Sequence, residues 1–100
     1  MAVVLQVHFP FDGPFDEAMV EAMQSLAHTI NDEPGFYWKL WTQDAEAKLA
    51  GGVYLFNTRE QAAAYLDKHS RRLSEMGIED IQSRIFEVNE DLSVINHAPL

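Results

Sequence analysis

Four aromatic rings lie close together in the segment EPGFYWKLWT, residues 33–42, where they belong to Phe36, Tyr37, Trp38 and Trp41. A β-strand with one buried face needs an apolar residue only at every second position, yet here both alternating sets carry rings. Such rings could pack in the core and in a subunit interface. They could also line an apolar pocket into which phenol and indole groups donate hydrogen bonds. The segment alone leaves both possibilities open.

Two histidines are the candidates for proton transfer, because imidazole titrates near neutral pH. His69 shares a predicted helical stripe with Tyr65 and Leu73, so it is either a satisfied core residue or a base that faces a pocket. His8 lies beside Gln6 on a predicted strand. Its alternatives are a polar pair in an interface or a hydrogen-bond donor in a cavity.

Other kinds of site find no support in the sequence. No pair of histidines has the spacing of a metal site, so we predict no metal. The chain has no cysteine, which removes disulfides, thiolate ligands and a cysteine nucleophile. No glycine-rich phosphate loop or dinucleotide motif occurs, and no serine lies in a nucleophile elbow. We therefore expect no bound cofactor.

The composition restricts the partners. One hundred residues form a single domain, residues 1–100. The formal net charge is −9 with only seven Lys and Arg residues, which disfavours nucleic acid and anionic membrane surfaces. The N-terminus does not resemble a signal peptide, and no apolar run approaches the roughly 20 residues that span a bilayer. We expect a soluble, cytoplasmic protein.

The hydrophobic periodicity predicts six elements in the order βαββαβ. The tail after the last strand is predicted to form no further helix or strand. The order is the split pattern of a ferredoxin-like α+β fold, with an antiparallel four-stranded sheet and both helices on one face. The predicted strands cover 3–9, 36–43, 49–57 and 81–88, the predicted helices about 15–31 and 58–76, and the tail 89–100.

The face of the sheet that the helices leave bare is too apolar for water, whichever set of strand residues points outward. A large apolar patch marks an interface. Packing of two copies, sheet against sheet, would cover it, and closed twofold pairs are the commonest oligomers. We therefore predict a homodimer, in which the apolar tail residues Leu92, Val94 and Ile95 wrap the neighbouring subunit.

The sequence resembles the YdhR monooxygenase family of the dimeric α+β barrel superfamily over nearly its whole length. Several long stretches occur in the same order as in that family. These stretches are LQVHFPFDGPF (5–15), EPGFYWKLW (33–41), AGGVYLF (50–56), YLDKH (65–69) and FEVNEDLSVIN (86–96).

The resemblance implies a barrel-forming dimer with a pocket between the sheet and the helices of each subunit. In related cofactor-independent oxygenases a Trp, a Tyr and an Asn are proposed to hold the substrate while its anion reacts with oxygen. Trp38 and Tyr54 are the nearest candidates by type and strand location, and Asn57 stands at a strand end. His69 or His8 could be the base, and the Trp38 N–H or the Tyr54 O–H could be the donor, so the candidate catalytic set is His69, Trp38 and Tyr54. The expected substrate-binding residues are His8, Tyr37, Trp41 and Tyr65.

Two functions follow as hypotheses. The first is a cofactor-independent monooxygenase that acts on a small aromatic or quinone-like molecule. The second is a non-catalytic module that binds a small apolar ligand. A titratable group with a perturbed pKa inside the pocket would favour the enzyme, whereas a dry pocket without such a group would favour the binding module.

Overall fold

The structure is a computed structural model that describes residues 1–100. It confirms the predicted α+β, ferredoxin-like architecture and adds a short helix at the C-terminus. The four strands form one antiparallel sheet in the order β2-β3-β1-β4. The elements are β1 (Val3–Pro10), α1 (Asp16–Ile30), β2 (Phe36–Asp44), β3 (Leu49–Phe56), α2 (Arg59–Glu75), β4 (Gln82–Glu87) and α3 (Glu90–Ile95).

The central strand β1 follows the alternation read from its sequence. Val3, Leu5, Val7 and Phe9 are buried against the helices, and the intervening residues point to the opposite face, as the period of two requires. On β3 the partners of the buried residues are Phe56, Tyr54, Gly52 and Ala50. These eight residues form the floor on which the helices rest. We call this side of the sheet the inner face and the opposite side the outer face.

The edge strand β2 departs from simple alternation. A β-bulge lies between Phe36 and Trp38, so that Phe36 pairs with Phe56 while Trp38 pairs with Leu55. The extra residue is Tyr37. A bulge of one residue reverses which face the following side chains occupy. Lys39 and Trp41 consequently lie on the inner face with Phe36. Trp38 and Leu40 lie on the outer face.

Capping residues mark the ends of α2. The Thr58 side chain accepts a hydrogen bond from the Gln61 backbone N–H at 3.1 Å, as expected for an N-cap. The Gln61 side chain lies against Gly35 instead of bonding back to Thr58, and its Oε1 has no partner. At the other end Gly77 adopts φ +84°, and the Ile78 N–H bonds to the Leu73 carbonyl at 3.0 Å.

The prediction that the C-terminal tail forms no element was wrong. Asn89 caps the short helix α3 by accepting a hydrogen bond from the Leu92 N–H at 3.2 Å. Beyond α3 the chain turns back across the outer face, where the Trp38 indole N–H donates to the Pro99 carbonyl at 2.8 Å. A cap and one long-range hydrogen bond therefore fix a segment whose apolar residues carry no helical periodicity.

The two helices pack unequally on the inner face. The helix α2 contacts β1, β3 and β4, whereas α1 stands further from the sheet. The buried α1 side chains are Met19 and Ile30, and Met23 and Leu26 pack at the margin of the core. The gap between α1 and the sheet is where a cavity forms. None of the helices combines the length and apolar character needed to cross a membrane.

Candidate active site

A small cavity lies between the inner face of the sheet, α1 and the end of α2. Its volume, counted as room for the centres of water-sized molecules, is about 30 Å³, enough for about two waters. We call it the inner cavity. Its walls are mostly apolar, with three methionines that can adapt their shape, and the groups of chemical interest are Lys39, Trp41, Tyr54 and His69. The apolar wall includes Val7, Phe9, Met19, Met23, Leu26, Leu73 and Met76.

Lys39 is the most unusual residue of the inner cavity. Its Nζ lies 3.3 Å from the centre of the Trp41 ring and 4.7 Å from that of Tyr54. The ion pairs of the molecule join Lys68 to Glu33 and Arg71 to Asp67, so Lys39 has no carboxylate partner. Desolvation by burial, assisted by the positive charge of Arg72, lowers the pKa of Lys39 from 10.5 to about 7. The amine is thus available in its neutral form near pH 7.

Gly52 provides the room for the Lys39 side chain. Gly52 pairs with Trp41 across β2 and β3. A Cβ atom at this position would come within 2.6 Å of Lys39 Cε and within 3.2 Å of Tyr54 Cε1. The neighbouring position 51 requires glycine for a different reason, because a Cβ there would overlap the Val7 carbonyl oxygen of β1. The glycine pair therefore brings β1 and β3 together and leaves space for a lysine across the sheet.

His69 lines the inner cavity from α2, the placement expected from its helical stripe. Its Nδ1 lies 3.1 Å from Arg72 Nη2. Since a guanidinium only donates hydrogen bonds, Nδ1 accepts and the proton of the neutral ring is on Nε2. Desolvation, with the charges of Lys39 and Arg72, lowers the pKa of His69 to about 3. At neutral pH this imidazole is therefore uncharged and a weak base.

Two tyrosines lie beside His69. The Tyr65 hydroxyl donates to the Tyr54 hydroxyl at 3.3 Å. The Tyr65 ring stacks on the His69 ring, with centroids 5.1 Å apart and an angle of 19° between the planes. Burial raises the pKa of Tyr54 and that of Tyr65 above their ordinary values. Both phenols stay protonated at neutral pH, so Tyr54 can donate a hydrogen bond within the site.

Two openings flank the inner cavity along α1. The larger, which we call the entrance groove, has about 610 Å³ of room for water-sized molecules and shares Met19, Met23, Trp41 and Thr42 with the inner cavity. The smaller, which we call the side opening, measures about 350 Å³ and is bordered by both Lys39 and Trp41. The inner cavity alone is too small for an aromatic ligand, but the entrance groove lies within the usual range for ligand sites.

The predicted site residues do not all meet in one place. His69, Tyr54 and Trp41 line the inner cavity, and Tyr65 lies directly behind Tyr54. Three predicted site residues lie outside the inner cavity, namely Trp38, His8 and Tyr37.

Trp38 and His8 lie on the outer face. The bulge turns Trp38 outward, and its indole N–H is already bonded to Pro99, although the residue borders the side opening. The expectation that Trp38 donates into the pocket therefore does not fit its position. His8 is exposed in a shallow polar depression with Gln6 and Arg84. Neither residue can reach the inner cavity.

Tyr37 and Asn57 interact with each other at the sheet edge. Tyr37 is the bulge residue, 57% exposed, and its hydroxyl donates to Asn57 Oδ1 at 3.1 Å. Asn57 is not among the residues of the inner cavity. The Trp, Tyr and Asn trio expected from the family resemblance is thus represented in the cavity by Tyr54, with Trp41 as the tryptophan.

Sequence reasoning did not identify Lys39 or Arg72 as site residues. A signal for Lys39 was present, since a lysine between aromatic residues on a strand next to a Gly-Gly strand indicates a side chain lying over a gap in the sheet. Arg72 follows His69 by three residues, so the two share a helix face. The signal for Lys39 was hidden by the β-bulge on β2. Because Phe36, Tyr37 and Trp38 are all aromatic, their sequence does not show where the alternation of faces breaks.

No group of three or more His, Asp or Glu side chains is arranged to hold a metal ion. The polar groups of the inner cavity include one amine, one imidazole, one phenol, the Thr42 hydroxyl and the Trp41 indole, with a guanidinium adjacent to the imidazole. This donor set is suited to an organic ligand that becomes negatively charged.

The fold is that of a ferredoxin-like α+β subunit with a cavity between its sheet and its helices. The chain belongs to the family described as putative mono-oxygenase ydhR, whose model matches residues 4–99. Among curated proteins, none matches the chain significantly in sequence. The family resemblance seen in the sequence is confirmed, and the protein is a monooxygenase-family member whose substrate is not defined by that membership.

Two solved structures resemble the chain in fold. One is a mutant of SnoaB from Streptomyces nogalater, described as a cofactor-independent oxygenase; it is 13% identical, with a TM-score of 0.61, covering 88% of this chain and 93% of SnoaB. The other is described as a putative antibiotic biosynthesis monooxygenase from Deinococcus radiodurans, 11% identical, with a TM-score of 0.55 and coverage of 89% and 93%. At such low identity these similarities establish the fold alone.

Proposed function

We propose that the protein is a cofactor-independent monooxygenase that deprotonates a small hydroxylated aromatic or anthrone-like molecule with the neutral amine of Lys39. The observation that carries the proposal is the unpaired Lys39 amine held against Trp41 and Tyr54 at the cavity wall. Membership of a monooxygenase family supports the reaction type, and the description of SnoaB as a cofactor-independent oxygenase supports the absence of a flavin, haem or metal.

Lys39 is a better base than the histidine expected from the sequence. A general base works best when its pKa lies near the working pH, and the pKa of Lys39 is lowered to about 7. The pKa of His69 is lowered to about 3, so its ring has little tendency to take a proton. We assign His69 and Tyr54 to hydrogen bonding of the substrate instead, with His69 donating from Nε2.

The amine and the guanidinium of Arg72 would then stabilise the anion that deprotonation creates. Once Lys39 has taken the proton, its ammonium group faces the new anion in a site shielded from water, where such an interaction is strong. The anion gives one electron to dioxygen, and the substrate radical and superoxide combine through a new C–O bond at a carbon that still carries a hydrogen. The peroxide anion so formed takes back the proton from the Lys39 ammonium group and becomes a hydroperoxide. Loss of water from the resulting hydroperoxide leaves a carbonyl group, so one oxygen atom enters the product and the other enters water.

The dimensions of the site fit a substrate that enters through the groove along α1. The aromatic body would lie in the entrance groove against Trp41, and the acidic O–H or C–H would point to Lys39. Carboxylates of Asp16 and Glu17 border the groove, which favours a substrate that arrives neutral and ionises only inside. Methionines 19 and 23 can shift to enlarge the passage.

We also propose that the working form is a homodimer packed through the outer face of the sheet. Leu40 is 60% and Phe86 49% exposed on this face, and α3 carries further exposed apolar residues. Apolar area of this kind on a small acidic protein is typical of a subunit interface. The inner cavity is on the opposite side of the sheet, so dimer formation leaves the entrance groove of each subunit open.

An oxygen electrode with metal-free protein tests the oxygenase directly. The panel should contain dihydroxynaphthalenes and anthrones. We expect oxygen uptake whose kcat/KM rises as the pH increases through 7, because the neutral amine is the active form. Lys39→Met should reduce kcat by about 10²- to 10⁴-fold, the usual contribution of a general base.

The matched control is Lys48→Met, which removes an exposed lysine from the turn between β2 and β3. This variant should keep the wild-type rate. Equal rates for Lys39→Met and the wild type would contradict the role of Lys39. Saturable binding of the panel without oxygen uptake would favour the alternative function, a binding module for a small apolar ligand.

A further inference from the structure

The arrangement around Lys39 also suits covalent chemistry that needs no oxygen. The amine is the nucleophilic form of a lysine, and it becomes available when burial or a neighbouring cation suppresses protonation. Lys39 combines burial, a nearby Arg72 and the lack of any carboxylate partner. Lys39 also lines both the inner cavity and the side opening. The side opening is therefore the route by which a small molecule would approach the amine.

We propose that Lys39 forms an imine with small neutral aldehydes or ketones that carry an aromatic ring. The Trp41 and Tyr54 rings that flank Nζ form the wall against which such a ring would lie. A neutral compound is favoured because Asp16 and Glu17 border the groove with negative charge, whereas the interior holds cations. This activity is separate from oxygenation and does not depend on it.

The step balances without an oxidant or reductant. The nitrogen lone pair of Lys39 attacks the carbonyl carbon and forms a C–N bond, and a proton passes from nitrogen to oxygen to give a carbinolamine. The carbinolamine then loses its hydroxyl group and the remaining N–H proton as water, which leaves the C=N bond of the imine. Tyr54, whose phenol stays protonated, is the residue suited to donate a hydrogen bond to the departing oxygen.

Reductive trapping of the wild-type protein tests the inference. The protein would be incubated at pH 7 with benzaldehyde and sodium cyanoborohydride, digested, and mapped by mass spectrometry. The chain contains three lysines, Lys39, Lys48 and Lys68, so two of them serve as internal controls. We expect the benzyl adduct to form at Lys39 at least about tenfold faster than at either control, because an ordinary lysine is almost fully protonated at this pH.

The dependence of the labelling rate on benzaldehyde concentration distinguishes a lysine in a binding site from one that is only reactive. Labelling of Lys39 should saturate with benzaldehyde, whereas labelling of Lys48 should rise linearly. Lys39→Arg, which keeps a long basic side chain but has no amine that can form an imine, should lose this adduct alone. Labelling of Lys39 at the rate of Lys48, or without saturation, would overturn the inference. Since no oxygen is consumed, that result would leave the oxygenase proposal to its own test.

Discussion

The amine of Lys39 lies 3.3 Å from the centre of the Trp41 ring, on the inner face of the sheet. A cation over an indole ring is a favourable contact, but this one replaces the water and the carboxylate that usually surround a lysine. The desolvation that lowers the pKa of Lys39 to about 7 outweighs the attraction to the ring. Lys39 therefore presents a neutral or easily deprotonated amine next to the aromatic ring of Trp41.

The first prediction concerns the pH dependence of stability. The pKa of Lys39 is about 7 in the folded protein and 10.5 when the side chain is free. Between these values the unfolded chain binds more protons, so the free energy of unfolding rises with pH from about 7 towards 10.5 by up to about 1.4 kcal/mol per unit. Urea denaturation at pH 7.5, 8.5 and 9.5 measures this rise.

Lys39→Met is the control for that measurement. It should be less sensitive to pH in this window, because the titrating group is gone. Above pH 10 the raised pKa of Tyr54 acts with the opposite sign, since the unfolded chain then releases a proton that the folded chain retains. The comparison is therefore confined to pH below 10. Parallel curves for the two proteins would contradict the burial of the Lys39 amine.

The second prediction uses the two glycines of β3. In Gly52→Ala the new Cβ meets the flexible end of Lys39 at 2.6 Å, so the chain should fold while the amine is displaced and oxygenase activity falls at least about tenfold. In Gly51→Ala the Cβ meets the Val7 carbonyl, a backbone atom that cannot move aside. That variant should lose at least about 1–3 kcal/mol of stability. Thermal unfolding measures the loss of stability, and the oxygen electrode measures the loss of activity. If the two variants lost stability and activity to the same extent, the separate roles given to Gly51 and Gly52 would be contradicted.

The sequence predicts which residues face the helices on some strands and not on others. The alternation of Val3, Leu5, Val7 and Phe9 identifies the inner face of β1, because its partners on both sides keep the same period. On β2 the bulge at Tyr37 exchanges the faces of the following residues. A bulge is set by pairing with a neighbouring strand, which a single segment does not reveal.

The same difference applies to the site. The stripe that contains His69 predicts its place in the cavity, since helical periodicity on α2 is regular. The chemical role assigned to His69 needed information that periodicity lacks, namely how strongly burial, with the charges of Lys39 and Arg72, lowers its pKa. The helix α3 depends on the Asn89 cap and on the long-range bond from Trp38 to Pro99. The cap is local, but the bond from Trp38 to Pro99 joins residues too far apart in sequence to be foreseen.

The third prediction compares the two tryptophans of β2. Trp41→Phe removes the indole beside Lys39 and reduces the wall of the entrance groove, so KM for an aromatic substrate should rise several-fold. Trp38→Phe should leave kcat and KM unchanged, because Trp38 lies on the outer face. Its loss of the bond to Pro99 should cost about 1 kcal/mol and speed hydrogen exchange in the tail. A large fall in kcat for Trp38→Phe alone would restore Trp38 as a catalytic candidate.

The fourth prediction concerns assembly. Sedimentation equilibrium at micromolar concentration should give about twice the chain mass of 11.4 kDa. Leu40→Asp places a charge on the exposed outer face and should shift the protein towards monomer. Ala63→Asp, at an exposed position of α2, is the matched control and should remain dimeric. A monomeric wild-type protein would exclude packing through the outer face.

The most direct test of the role of Lys39 is an NMR titration of its side chain. With lysine labelled at ¹³Cε, the chain gives only three signals, and Lys39→Arg assigns the one of interest. We predict that the Lys39 signal titrates near pH 7 and shifts when a hydroxylated aromatic binds. Titration of Lys39 near the ordinary lysine value of about 10.4 would show that the amine is charged at neutral pH and cannot be the base.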